Sequence, residues 1–407
     1  MTEKKDAKAY DVIVVGAGPA GSMTALTLAK LGVNVLLLDR KTEIGVPDKC
    51  GEFVPSLDEM KNLSPRVKNL ENIFNIPSHC IVNRTKFIKF SFPNKEVEIP
   101  FQGIVLERKI FDKHLANEAA RAGAEITAFA KVTGLLDKGE GVRVRTIDGV
   151  KDIYSKIVVA ADGAYSLLAR QGGLPVSQDP LDYGVGYHYE MVGVDHDPDY
   201  VDMYIGEDIA PGTYAWIIPK GADVANVGTG VRASYMKKGL TVRDYQNNFT
   251  KKHAIVSKKL LRAQATAVKA GCIPVGGPME RTNTDNMVAV GDAAGHTIPT
   301  VGGGIPPALI CGRLAGQAIA QSLLNGSPLQ AYDSAWREQL GTTLQNSLRI
   351  RRMSDVVFKN TRIIDFATKK GWLTEEMIMK FVLCQMDAKM KFMESTLNLM
   401  KSSSPPQ

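Results

Sequence analysis

Hydrophobic positions along the chain fall into three regimes. Near the start, Val12-Ile-Val-Val15 is a continuous β-branched run, the pattern of a strand buried on both faces of a parallel sheet. Apolar residues then recur at helical spacing, so residues 11–40 read as strand, helix, strand. A Gly/Pro-punctuated loop is predicted over residues 41–56, with short helical pieces to about Phe74. Lys86–Phe92 and Val97–Phe101 read as paired strands, and Ile157–Ala161 as a second buried strand. Between them, Phe111, Leu115, Ala119 and Ala122 predict a helix over residues 108–123.

In the second regime, residues 183–270, strands dominate: Gly184–Val194, Val201–Gly206, Tyr214–Ile218 and Val224–Val231. Met287–Val290 returns to the buried-strand pattern, and the third regime, beyond Gly304, is mostly helical. The expected fold class is therefore α/β. A discontinuous Rossmann-like domain (1–182 and 271–325) carries an inserted β-rich domain (183–270), followed by a helical C-terminal region (326–407).

Composition narrows the class. The 407 residues are 44% hydrophobic and 23% charged, ordinary for a globular protein. No apolar run approaches the roughly 18–20 residues that span a bilayer. Met1–Ala9 is charged and has no apolar core, so it does not read as a signal peptide. A cytoplasmic protein is expected, or one lying peripherally on the inner face of the cell membrane. The net charge of +7 suits diphosphates, anionic headgroups or an acidic redox partner, and equally a solvated lysine-rich surface. No run of five or six basic residues points to nucleic acid. Cysteines 50, 80, 272, 311 and 384 form no CxxC pair, so neither a metal site nor a disulfide framework is expected.

Gly16-Ala-Gly18-Pro-Ala-Gly21 follows the first strand and opens the first helix. Gly16 permits the tight turn, Gly18 lets the backbone approach a pyrophosphate, and Gly21 allows close helix–strand packing. Asp39 ends the second strand, where a carboxylate accepts from ribose hydroxyls. Late in the chain, Val290-Gly-Asp-Ala-Ala-Gly295 follows another buried strand. This pair of motifs resembles FAD enzymes related to the aromatic-ring hydroxylases. The resemblance implies FAD, with Asp292 on a ribityl hydroxyl, and matches Asp162-Gly163 and Arg108 to two further family positions. It extends the expected cofactor set to Cys50, Gly51, Phe53, Val132, Gly304 and Ile305. Pro299-Thr-Val-Gly-Gly-Gly-Ile305 leads into a helix whose N-terminus would face the flavin N1/C2 edge and favour its reduced anion.

Two stretches narrow the reaction. Glu43-Ile-Gly-Val-Pro-Asp-Lys-Cys-Gly-Glu52 and Pro211-Gly-Thr-Tyr-Ala-Trp-Ile-Ile-Pro219 resemble motifs of the archaeal geranylgeranyl reductases, departing at Phe53 and Ile218. The family saturates isoprenoid double bonds, so the resemblance implies a geranylgeranyl-containing lipid or diphosphate as substrate. Tyr214 and Trp216 alternate on one strand and would wall that substrate on one face. Cys50 suits a proton donor or a redox-sensitive group, against the usual inertness of buried thiols. His296 reads as structural. Val227-Gly-Thr-Gly-Val231 lacks a third glycine and a helix, so no second dinucleotide domain is expected. Electrons would come from a ferredoxin-like protein or from NADPH over the flavin.

Methionines 353, 377, 379, 386, 390, 393 and 400 suit a hydrocarbon tunnel or simple helix packing. Arg349, Arg351 and Arg352 suit a headgroup phosphate or a solvated face. Two other functions share the FAD motifs: a monooxygenase of the same superfamily, and a non-catalytic flavoprotein that carries electrons or senses redox state.

Overall fold

The computed structural model describes residues 10–395 apart from 138, 359, 360 and 393, and not the side chains of 356–358 and 361. In chain order the strands begin with β1 (Tyr10–Val15), β2 (Val35–Leu38), β3 (Phe53–Pro55), β4 (Ile81–Phe92) and β5 (Lys95–Leu106). Next come β6 (Glu125–Thr127), β7 (Lys131–Leu136), β8 (Gly141–Thr146) and β9 (Gly149–Ala160). The later strands are β10 (Tyr183–Val192), β11 (Tyr200–Tyr204), β12 (Ala215–Gly221), β13 (Val224–Val231), β14 (Gln264–Pro274) and β15 (Met287–Ala289).

The first sheet runs β6-β2-β1-β9-β8-β7, with β15 paired to the far end of β9. Its β6, β2, β1, β9 and β15 are mutually parallel. The β-branched run of β1 is buried along its length, as a strand covered on both faces requires. Residues 19–30 form the first helix, with Pro19 at its first position and the extended Gly18 before it. Glycine is required at both ends of this turn. A Cβ on Gly21 would stand 1.8 Å from the Gly16 carbonyl oxygen, and Gly16 itself has φ +107°.

The second sheet runs β14-β10-β13-β12-β11-β4-β5-β3 and is antiparallel except for the parallel pair β11–β4. It therefore reaches beyond the expected 183–270 insertion and takes β3, β4 and β5 from the segment assigned to the nucleotide domain. The physical reason is the apolar face of the β4–β5 hairpin: Ile88, Phe90, Phe92, Val97, Ile99 and Phe101 are buried there. A hairpin cannot cover such a face alone, and pairing β4 with β11 joins it to the larger sheet. The helix Ile305–Asn325 packs on the first helix, and the helices Thr342–Phe358, Thr361–Lys369 and Glu375–Val382 follow. Among the described residues, no helix is long and apolar enough to cross a membrane. Met393, Met400 and the tail from Ser402 lie outside the described residues.

Candidate active site

One cavity of about 1110 Å³ is lined by residues of both sheets and of the C-terminal helices. It reaches Gly18, Cys50, Gly51, Phe53, Arg108, Asp162, Tyr214, Trp216, Asp292, Gly304 and Ile305, so most of the sequence-predicted residues share one space. Gly16, Gly21, Asp39 and Val132 do not line it. Gly16 and Gly21 are consumed in packing the turn. Asp39 accepts from the Ala17 amide at 2.7 Å and the Lys41 amide at 2.8 Å, so its carboxylate braces the turn, while Arg40 and Lys41 face the cavity. Val132 lies on β7 and packs against the smaller core on the other side of the parallel sheet.

The walls fit a dinucleotide with a flat ring. A Cβ on Gly18 or Gly163 would meet nothing within 4 Å, leaving bare backbone toward the cavity. The Asp292 carboxylate accepts from Thr297 Oγ1 at 3.1 Å and has acceptor capacity left over. Burial pushes its carboxyl above the usual range, against the pull of the Thr297 hydroxyl and Arg108. Such a group gains from ligand hydroxyl donors. The helix Ile305–Asn325 starts at the cavity wall directly after the glycines 302–304.

Opposite stand the aromatics. Tyr214, just before β12, and Trp216, within it, lie edge-on at 5.9 Å. Tyr214 donates to the Val301 carbonyl at 2.6 Å, tying this wall to the glycine loop. Trp216 Nε1 is buried without a hydrogen-bond partner. Room for the indole comes from Gly228, where a Cβ would stand 2.5 Å from Trp216 Cζ2 and 2.3 Å from His188 Cβ. Gly228 of the β13 GxG thus makes room for ring packing. Ile218 Cδ1 would touch a Cβ on Gly51 at 3.0 Å, so the shorter side chain at 218 fits a close approach of loop and strand.

Beneath the Cys50 loop lies a feature absent from the sequence reading. The Asp48–Glu52 loop rests on a buried ionic network. Lys220 Nζ meets Glu52 at 2.7 Å and both Glu107 and Glu190 at 2.9 Å. Lys269 Nζ meets Asp48 at 2.7 Å, Glu190 at 3.0 Å and Glu52 at 3.3 Å. Glu52 is fully buried with φ +70°, a backbone strained for a residue with a side chain. Its carboxylate also accepts from the Arg108 amide at 2.9 Å and Asn226 Nδ2 at 2.7 Å, which holds that conformation. Burial raises the Glu52 pKa, but Lys220 and Lys269 more than reverse it, leaving the carboxyl below the usual range. Glu190, opposed by burial in the same way, is held down at about 2 by hydrogen bonds to the two lysines. Lys220 is raised, its carboxylates outweighing burial. These are fixed charges. The signal available in sequence was a lysine at an inward register of a strand, at Lys220 and Lys269.

The network presents Cys50. His188 Nε2 hydrogen-bonds the Cys50 carbonyl at 3.0 Å, Asn226 Nδ2 donates to the Gly51 carbonyl at 3.1 Å, and the Glu52 amide donates to Cys50 Sγ at 3.2 Å. Burial pushes the Cys50 thiol up, against the neighbouring Arg108 guanidinium, so it stays protonated at neutral pH. Arg108 is gripped by Asp112 through two bonds at 2.9 and 2.8 Å. Burial lowers His188 to about 4, with Lys269 adding to the effect, so it is neutral. His296 is fully buried beside Trp336 at 4.8 Å, and burial holds it neutral at about 3. All five cysteines are free, and no cluster that could hold a metal occurs among the described residues.

The cavity wall also carries the apolar side chains of Phe92, Met203, Met353, Met377, Phe381 and Met390. Of the other C-terminal methionines, Met379 packs against the core. The basic triplet separates: Arg349 pairs with Glu394, Arg351 donates to the Leu181 carbonyl at 3.0 Å, and Arg352 is exposed.

Residues 182–268 match a model described as geranylgeranyl reductase catalytic domain, and residues 9–50 match an FAD binding domain. Digeranylgeranylglycerophospholipid reductase 2 of Methanopyrus kandleri is 38% identical over 353 residues, covering 84% of this chain and 86% of the relative. The digeranylgeranylglycerophospholipid reductase of Methanocaldococcus jannaschii is also 38% identical, over 354 residues with the same coverage. Among solved structures, a geranylgeranyl bacteriochlorophyll reductase-like protein of Thermoplasma acidophilum superposes with TM-score 0.77 at 30% identity, covering 87% of this chain and 89% of its own. A flavin-dependent brominase shares the fold with TM-score 0.74 at 19% identity, covering 98% of this chain and 100% of its own.

Proposed function

The chain belongs to the digeranylgeranylglycerophospholipid reductase family, and from that premise we propose how its cavity reduces an isoprenoid chain. The protein is an FAD-dependent oxidoreductase that saturates double bonds of geranylgeranyl chains in lipids. The carrying observation is the cavity that joins the glycine turn, the Cys50 loop, the aromatic pair and a set of apolar side chains from the C-terminal helices.

When bound and reduced, FAD would supply the hydride. An isolated alkene is a poor hydride acceptor, so a proton must arrive at the other carbon. The Cys50 thiol, kept protonated by burial, is our candidate donor, and the Glu52 network fixes where it points. Tyr214 and Trp216 wall the alkene, and Tyr214 couples that wall to the loop at Val301. Gly18, Arg108, Asp162, Asp292, Gly304 and Ile305 are assigned to the cofactor. The methionine-lined wall takes the rest of the chain and, with the other apolar walls, excludes water from the reaction. Electron supply is assigned to an external donor, a ferredoxin-like protein or NADPH.

Anaerobic incubation of dithionite-reduced protein with a digeranylgeranylglycerol phospholipid tests the reading. The expected product gains two hydrogens per bond reduced. A product that forms only with oxygen and carries an added oxygen atom overturns the reading in favour of a monooxygenase. Flavin reduction with no lipid product overturns it in favour of an electron carrier.

A further inference from the structure

A lipid of this size must leave a bilayer to enter the cavity, and the structure offers an apolar surface at one of its walls. The helix Thr361–Lys369 turns Ile364 and Ala367 inward, 0% and 4% exposed, but leaves Ile363 and Phe366 at 39% and 51%. Trp372, in the turn that follows, is 48% exposed and meets Phe366 edge-on at 5.6 Å. Three large apolar side chains on about three helical turns of chain form a contiguous patch, not scattered singles.

Charge surrounds the patch. Over residues 361–372 there are three basic residues, Arg362, Lys369 and Lys370, and one acidic residue, Asp365, which is bound by Asn94 Nδ2 at 2.8 Å. Lys370 Nζ lies 5.7 Å from the centre of the Phe366 ring. Aromatic rings flanked by lysines suit the headgroup level of an anionic membrane, where the rings enter the acyl boundary and the ammoniums meet phosphates. Ile363, Ala367, Trp372 and Leu373 of these same segments line the cavity, so the patch is continuous with the substrate space. The segment is also fastened to the sheet: Lys95 Nζ donates to the Leu373 carbonyl at 2.7 Å.

We infer that Ile363, Phe366 and Trp372, with Lys369 and Lys370, form a docking face for an anionic lipid bilayer, at which the substrate passes from membrane to cavity without entering bulk water. The inference rests on the reading of the cavity as an isoprenoid site. Contact is interfacial, since no described helix can span a bilayer.

The holoenzyme is mixed with phosphatidylglycerol–phosphatidylcholine vesicles and with pure phosphatidylcholine vesicles, and binding is read by flotation. Of the three tryptophans, Trp216 and Trp336 are buried at 7% and 0%, so Trp372 dominates any change in exposure. Its emission should shift blue on the anionic vesicles and be quenched by brominated lipid, and the shift should vanish in Trp372→Phe. Phe366 does not line the cavity. Phe366→Asp should weaken vesicle binding by about tenfold or more, yet keep wild-type turnover of detergent-dispersed lipid. Lys369→Glu with Lys370→Glu should erase the preference for anionic vesicles. Equal flotation of Phe366→Asp and wild type, or an unmoved Trp372 emission, overturns the inference. So does a vesicle-free dimer that Phe366→Asp dissolves, which would make the face a contact between copies. Absence of wild-type turnover in detergent counts instead against the isoprenoid reading, since vesicle binding is measured without it.

Discussion

The two sheets approach the cavity with different chemistry. The parallel sheet offers backbone, with glycines at its strand ends and the start of a helix, beside the separate charges of Arg40, Lys41, Asp162 and Asp292. The antiparallel sheet offers side chains: two aromatics, a thiol loop and a buried lattice of two lysines and four carboxylates. A backbone cradle binds any phosphate presented at the right spacing and needs only local sequence to form. A charge lattice must be assembled from strands far apart, and it holds one loop in one place. On the proposed reading, binding of a common cofactor and positioning for a particular reaction are divided between the sheets.

The comparison breaks if either half works by the other's means, and the largest effect should come from the backbone half. In Gly21→Val the new side chain would occupy the space of the Gly16 carbonyl. The turn cannot form, and the protein should purify colourless or fail to fold. FAD released on heating measures this, and a normal flavin content would show that the turn is not the cradle.

Lys269→Met should come next. It strips Asp48 of its cation and leaves Glu52 and Glu190 to Lys220 alone, and an uncompensated buried charge costs about 3–5 kcal/mol. Urea denaturation gives the loss. Adding Glu52→Gln should restore part of it, because an amide needs no cation. An additive double mutant would mean that the two groups do not share a network.

Asp292→Ala sharpens the comparison from the cofactor side, being a side-chain contribution within the backbone half. Losing a charge-assisted bond should weaken FAD by about 1.5–3 kcal/mol while the fold survives. Wild-type affinity in the folded variant would remove Asp292 from the site.

The last effect is read in acid. Glu190 has a folded pKa near 2 against 4.5 in the unfolded chain. Its lowered value contributes stability that is present above 4.5 and is lost as pH falls toward 2. Stability should therefore decline across that window, and less steeply in Lys220→Met, where the cause of the shift is reduced. Identical slopes in the two proteins would remove the network from the acid response.

The same division explains what the sequence made legible. The Gly16–Gly21 turn, the buried run of β1 and the Val290–Gly295 turn are local signals, each complete within a few residues. Tyr214 and Trp216 were also local, as an alternating pair on one strand. The reach of the second sheet was not, because β4 meets β11 more than a hundred residues later and neither strand announces its partner. Nor was the lattice. Lys220 and Lys269 lie on different strands, and only the fold brings Glu52 to both. Asp39 was read for its type and position, but the bonds it makes to Ala17 and Lys41 depend on how the turn closes.

The central claim is that one cavity brings reduced flavin and alkene together against Tyr214 and Trp216. Anaerobic single-turnover reoxidation of the reduced flavin by a digeranylgeranylglycerol phospholipid tests it directly. The wild type should reoxidise on adding lipid and give saturated product. Tyr214→Ala and Trp216→Ala should bind FAD and accept dithionite electrons normally, yet reoxidise on the order of a hundredfold more slowly, since a misplacement of about 1 Å costs that much. Wild-type reoxidation rates and products in both variants would contradict the account and leave the pair as sheet core alone.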